Sequence, residues 1–210
     1  HARTISSQVD EGFALLSLSA LERPRRVTGD NTKALEFVEL AYNAFSALYA
    51  TGDDGKQKKA KEGFAQCHCC KAEIFDYARP DDALAEWTRA LKILQDLGED
   101  SERDAADTLL RRAALRGRIG EPQSAVSDID GAAKIYHRLD NTVGLAKCYL
   151  QAGELLDSMD RRTDAAEEYR QAAAIAATWK NDSRASYFYF RHACKLVELR
   201  EYVDAERIFK

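Results

Sequence analysis

Small and apolar residues recur along this chain at helical spacing, and two kinds of stripe alternate. One kind sets a small residue first, a large apolar residue four later and an alanine three after that. It appears as Ala83/Trp87/Ala90, Ala125/Ile129/Ala132 and Ala165/Tyr169/Ala172, and Ala205/Phe209 begins another copy. The lead alanines stand at 83, 125, 165 and 205, a period close to 40, and a weaker copy, Ala34/Val38/Ala41, comes earlier. The second stripe runs upstream of the first at a fixed offset: Leu109/Ala113, Tyr149/Gly153 and Tyr189/Ala193, with Cys67/Lys71 a poor fit. Two apolar stripes of helical period joined by a short polar stretch describe a helical hairpin, so the chain reads as hairpins in tandem.

The punctuation agrees. Arg79-Pro80-Asp81-Asp82 opens a helix with proline in its first turn and carboxylates at its positive end. Gly98 closes that helix and Ser101 can cap the next. Gly120-Glu121-Pro122, Asn141-Thr142, Asp160-Arg161-Arg162 and Asn181-Asp182-Ser183 separate later helices. The pattern predicts an all-α chain of ten helices beginning near residues 5, 31, 56, 81, 101, 122, 142, 162, 183 and 201. Residues 1–63 are expected to form irregular N-terminal helices and a loop, the opening of the array. Within them, Thr51 to Gly63 predicts a long inter-helix loop or an irregular first pair. Residues 64–210 are expected to be regular repeats, the last cut short with Ile208 and Phe209 poorly covered.

Tyr149-x2-Ala152-Gly153-x2-Leu156, followed by Ala165-x3-Tyr169-x2-Ala172, resembles the tetratricopeptide-repeat (TPR) signature. The likeness is good over residues 64–210 and loose over 5–63. Its period exceeds the usual spacing of about 34 residues. Repeats of this longer kind resemble those of the SNAP vesicle-fusion adaptors, the LGN-type cell-polarity scaffolds and bacterial peptide-sensing regulators. The resemblance implies a superhelical array of antiparallel hairpins, a TPR-like α-solenoid, that binds peptides or helices and carries no catalysis. One departure stands out: Arg112 and Arg116 occupy slots where other copies hold Ala152/Leu156 and His192/Leu196, which predicts a rotated helix or a thinner core there.

Composition narrows the function. Of 210 residues, 45% are apolar and 31% charged, a balance that supports a packed core. The net charge of −4 speaks against nucleic acid, whose binding is driven by phosphate neutralisation. No apolar run is long enough for a transmembrane segment. Five cysteines, an odd number in a helical chain, read as reduced thiols and a cytoplasmic location.

Few residues suggest chemistry. Cys67-His68-Cys69-Cys70 has zinc-ligand side chains, but on a helix only Cys67 and Cys70 share a face, so they read as core and no metal site is expected. Gly52-Asp53-Asp54-Gly55-Lys56 lacks the spacing of a phosphate loop and reads as a flexible loop. Neither a catalytic constellation nor a cofactor is expected. The concave face is the expected site, because the first helix of each hairpin lines it. Its candidate partner-binding residues are Leu110, Arg111 and Arg118, then Lys147, Leu150, Gln151 and Glu154, then Tyr187, Phe190 and Arg191. Arg111, Lys147 and Arg191 would form a positive seam beside Leu110, Leu150 and Phe190. The expected function is therefore a scaffold or adaptor for an acidic, partly apolar peptide or helix of a protein partner. The alternatives are a SNAP-like membrane-trafficking adaptor, despite no Phe-rich loop between Arg23 and Asp30, and a helical interaction domain of a larger enzyme or regulator.

Overall fold

The computed structural model describes residues 2–22, 31–179 and 185–209. These form ten α-helices, and no strand occurs among them. They are α1 (Ala2–Glu22), α2 (Thr32–Thr51), α3 (Asp54–Phe75), α4 (Pro80–Leu97), α5 (Glu102–Arg118), α6 (Pro122–Arg138), α7 (Thr142–Ser158), α8 (Arg162–Ala176), α9 (Ala185–Glu198) and α10 (Tyr202–Phe209). A short 3-10 turn, Glu99–Ser101, precedes α5. The expected all-α hairpin series is what the chain forms. The Asn181-Asp182-Ser183 boundary and the Arg23–Asp30 segment lie outside the described residues.

The stretch from Thr51 to Gly63, expected as a long inter-helix loop or an irregular first pair, is almost wholly helical, and α3 starts close to the expected residue 56. Only Gly52 and Asp53 interrupt the helices. Asp53 Oδ1 accepts the Lys56 amide at 3.0 Å, an N-cap that starts α3 at once, and Asp54 adds a carboxylate to its first turn. Gly52 and Gly55 looked like loop chemistry. The cap, with Ala60 and Gly63 buried on the inner face, decides otherwise.

The chain divides into two compact units, His1–Thr108 and Leu109–Lys210, with the division inside α5. In the first unit, Phe45 of α2 is fully buried, and the Phe13 ring packs edge-on to it at 5.2 Å. The rest of that core comes from Leu16, Val38, Leu48, Cys67 and Ile74. A β-carbon at Gly12 would lie 2.5 Å from the Phe45 ring, and one at Gly63 would lie 2.4 Å from it. The ring is therefore held between two bare stretches of helix backbone. In the second unit the same device recurs. Tyr136 of α6 covers Gly144 of α7, and Tyr169 of α8 covers Gly153 of α7, where added β-carbons would approach to 2.2 and 2.8 Å. Both tyrosines are 1% exposed, so the rings serve as the filling between neighbouring helices. Beyond them Ala146, Ala172, Ala176, Ala185 and Phe188 form an alanine-rich core under Trp179.

The turns α5–α6, α6–α7, α7–α8 and α9–α10 share one backbone solution. Gly120, Asp140, Asp160 and Arg200 have φ of 84°, 50°, 58° and 65°, the left-handed conformation that ends a helix. The next amide in each case bonds back across the turn: Glu121 to Arg116, Asn141 to Tyr136, Arg161 to Leu156 and Glu201 to Leu196, at 2.8–2.9 Å. This closure satisfies carbonyls the helix end would leave bare. It also lets the next helix start two residues later, which sets the even spacing of the hairpins.

Two opposite effects of glycine follow. Gly63→Ala and Gly153→Ala should each destabilise the fold. Overpacking costs about 1–3 kcal/mol, which outweighs the gain in helix propensity of about 1 kcal/mol. Arg200→Gly should stabilise it by about 0.5–1 kcal/mol, because only glycine adopts that turn without strain. Urea unfolding of the three variants checks both signs, and a stable Gly63→Ala protein would contradict the ring-on-backbone packing.

Candidate protein-binding face

Within the second unit, α5 (from Leu109 on), α7 and α9 are consecutive first helices of hairpins. Side chains tie them together directly. Gln151 Nε2 of α7 donates to the Leu110 carbonyl of α5 at 2.7 Å. Arg191 of α9 reaches Glu154 of α7 at 3.0 Å and donates to the Tyr169 hydroxyl at 3.0 Å, with its guanidinium 5.2 Å from the tyrosine ring centre. Lys195 lies 2.6 Å from Asp157 and also pairs with Glu198. Tyr169 donates its hydroxyl proton to Asp157 Oδ2 at 2.9 Å. Burial works against the Lys195 ammonium, but its bonds to Asp157 and Glu198 outweigh that and hold its pKa above the ordinary lysine value.

This network redistributes the residues expected on the face. Leu110 is buried at 7% exposure, so its side chain belongs to the core, and its carbonyl accepts from Gln151. Leu150 is half-buried against the alanine-rich core. Gln151 is half-buried and occupied by Leu110, and Arg191 is held by Tyr169 and Glu154. Arg111, Arg118, Lys147, Tyr187 and Phe190 are exposed, the two aromatics by 50% and 54%.

Between α5 and α7 lies a cavity of about 260 Å³. Ala113, Ala114, Gly117, Ile129 and Leu155 make its apolar walls, and Arg118, Gln151, Glu154 and Ser158 stand at its edge. Nothing in the alternation of stripes announces it. Its signal is the paucity of side chain at Ala114 and Gly117, the two small residues on one helical turn.

Arg112 and Arg116 are half-buried on α5. Both point at Asp128 of α6, which is 4% exposed. Arg112 grips it through two bonds, Nε to Oδ2 at 2.9 Å and Nη2 to Oδ1 at 2.7 Å, and Arg116 Nη1 adds a third at 2.7 Å. Sequence reading missed Asp128. The clue was the slot three residues after each lead alanine, which holds Glu86, Asp128 and Glu168 on what should be an apolar stripe. Glu86 confirms the rule in the first unit: it is buried, accepts from His68 Nδ1 at 2.6 Å and pairs with Arg89.

The cysteine cluster is dispersed as expected from its spacing. Cys67 and Cys70 are in the core, His68 turns to Glu86 and Cys69 sits 3.9 Å from the Thr108 hydroxyl. Burial pushes the Cys67 thiol up to about 12, far from a reactive thiolate. No group of three or more possible ligands able to hold a metal ion occurs among the described residues. No helix there is long and apolar enough to cross a membrane.

Two measurements check these assignments. Asp128→Ala should cost about 3–5 kcal/mol, because it removes the buried carboxylate that half-buried Arg112 and Arg116 share. Replacing Arg112, Asp128 and Arg116 together by leucine or methionine should restore most of it. A loss under about 1 kcal/mol for the single change would show the network to be solvated. His192 tests a pH effect: burial, aided by the Arg170 charge, holds its pKa below the usual 6.5. The unfolded chain then binds that proton more readily, so stability is full above pH 6.5 and falls as pH drops through it. His192→Gln should flatten the slope below pH 6.5 in unfolding titrations.

No family model and no curated protein matches the sequence. Solved structures do match the fold. BtubC (BKLC) from P. vanneervenii is 18% identical, with 99% of this chain and 87% of that one covered at a TM-score of 0.70. RapI in its apo form is 15% identical over 85% of this chain and 46% of that chain, at 0.67. The STAND ATPase PH0952 from Pyrococcus horikoshii, which has a tetratricopeptide repeat sensor, is 15% identical over 98% of this chain and 36% of that chain, at 0.60. Folds of this kind generally mediate protein–protein interaction. Hairpins of two apolar stripes, rings seated on glycines and these structural matches together make this chain a protein of the TPR-like helical-repeat fold.

Proposed function

We propose that this chain is a non-catalytic scaffold whose second unit binds an acidic, partly apolar peptide or helical segment of a partner protein. What supports the reading is the mixture of exposed residues on α5, α7 and α9. Exposed Arg111, Arg118 and Lys147 stand there with exposed Tyr187 and Phe190, on a chain whose net charge is −4. Arginine and aromatic residues are the types enriched where proteins bind each other. A local excess of cations on an acidic protein favours, and speeds the approach of, an acidic partner. The apolar cavity beside Arg118 adds a place where binding energy exceeds what charge alone supplies. The five cysteines are all free thiols, which fits a reducing compartment such as the cytoplasm.

The test changes charge at exposed positions and leaves the buried network alone. Arg111→Glu with Lys147→Glu should weaken capture of the partner by about tenfold or more and should flatten its salt dependence. Unfolding of the double variant should match the unaltered chain. Arg191 is a poor choice for reversal, since a carboxylate there would face Glu154 and release Tyr169. A partner isolated on immobilised chain, identified by mass spectrometry and bound equally well by the double variant would overturn this face as the binding site.

A further inference from the structure

The cavity between α5 and α7 exists because two side chains are small. The positions on α7 that correspond to Ala114 and Gly117 hold Glu154 and Asp157, and those on α9 hold Cys194 and Val197. On α7, the Asp157 side chain is engaged by Tyr169 and Lys195, so the corresponding space against α9 is taken. On α5 the side chains end at Cβ of Ala114 and at the backbone of Gly117. A β-carbon at Gly117 would already stand 3.1 Å from Leu155 Cδ1, which marks Leu155 as the opposite wall.

The walls are fixed before any ligand arrives. Ile129 is 6% exposed and Leu155 is 7% exposed. Gln151 is held by the Leu110 carbonyl at 2.7 Å, and Glu154 by Arg191 at 3.0 Å. A preformed site spares the ordering cost of binding. At about 260 Å³ the cavity falls short of a typical small-molecule site, roughly 300–1,000 Å³, and suits a single side chain. Its walls are mainly apolar, with the polar residues at the edge, so an aliphatic side chain suits it better than a charged or amide one.

Charge identifies what surrounds that side chain. Arg111, Ala114 and Arg118 lie three and four residues apart on one stripe of α5, so exposed cations bracket the mouth. They stand about 10 Å apart along the helix axis, a length that an extended segment covers in about three residues. We infer that the cavity receives one leucine- or isoleucine-sized side chain of a partner, in a segment with carboxylates within two residues on either side. This rests on the proposed binding face and names the side chain which that face selects.

The probes are two peptides, acetyl-Glu-Glu-Leu-Glu-Glu-amide and its alanine counterpart, titrated into the isotope-labelled full chain and followed by amide NMR shifts. The leucine peptide should shift Ala114, Gly117 and Leu155 and bind about ten- to hundredfold tighter, the ratio that burying a leucine side chain corresponds to. Ala114→Trp, placed at the exposed mouth, should abolish the preference while leaving the weak charge-driven binding of both peptides. Ser158→Trp closes the mouth from α7 and gives the same result should Ala114→Trp disturb the fold. Arg111→Glu with Arg118→Glu should weaken both peptides alike. Equal binding of the two peptides, or a preference that survives both tryptophan variants, overturns the cavity inference and leaves the charged face standing. If neither peptide binds and charge reversal leaves partner capture unchanged, the face itself falls.

Discussion

A ring of one helix lying against the bare backbone of the next is the contact on which the hairpins depend. Phe45 between Gly12 and Gly63, Tyr136 on Gly144 and Tyr169 on Gly153 repeat it with different residues. Dispersion attraction is strongest when atoms meet at van der Waals distance without a gap, and a ring on a flat backbone gives many such pairs at once. The arrangement also fixes register. A ring can sink between helices only where the facing residue has no side chain, so sliding by one residue would drive it into a β-carbon. The small residues are thus as decisive as the large ones, and the alanine-rich layer under Trp179 extends the same close approach through α8 and α9.

Much of this was legible in the sequence. Helix positions followed from two stripes and from prolines, glycines and capping residues, so expected helix starts fall within three residues of the observed ones wherever the residues are described. Gly153 and Tyr169 stood in the TPR-like signature and meet in space. Around Asp53 the helix start near 56 was legible, but the break before it was expected to be longer, because paired glycines are common in loops while one capping carboxylate is enough to start a helix. Asp128 escaped notice because a charged residue on an apolar stripe looks like a lapse of pattern. Only the facing arginines, sixteen and twelve residues upstream, explain it, and pairing across helices is invisible to a reading of one helix at a time.

Exposure of the candidate residues was legible in outline and altered in detail. Helical phase placed Arg111, Arg118, Lys147, Tyr187 and Phe190 outward, and the structure exposes all of them. Phase cannot say which outward residues a neighbouring helix then covers. Leu110 is lost to the core that way, and Arg191 becomes the link among α7, α8 and α9. The cavity depends on something phase ignores, the volume missing at Ala114 and Gly117. Unlike the ring-seating glycines, Gly117 leaves its space unfilled by the chain's own residues.

The turns bear on why kinship with this chain is hard to read. Each closes through backbone groups, and the left-handed position is held by glycine, aspartate twice and arginine. Since main-chain atoms close these turns, one repeat geometry is compatible with unlike letters at the same place, and shape carries the likeness better than spelling does. Structural matches at 15–18% identity, beside a sequence that no family model matches, accord with a geometry that the backbone keeps rather than particular letters.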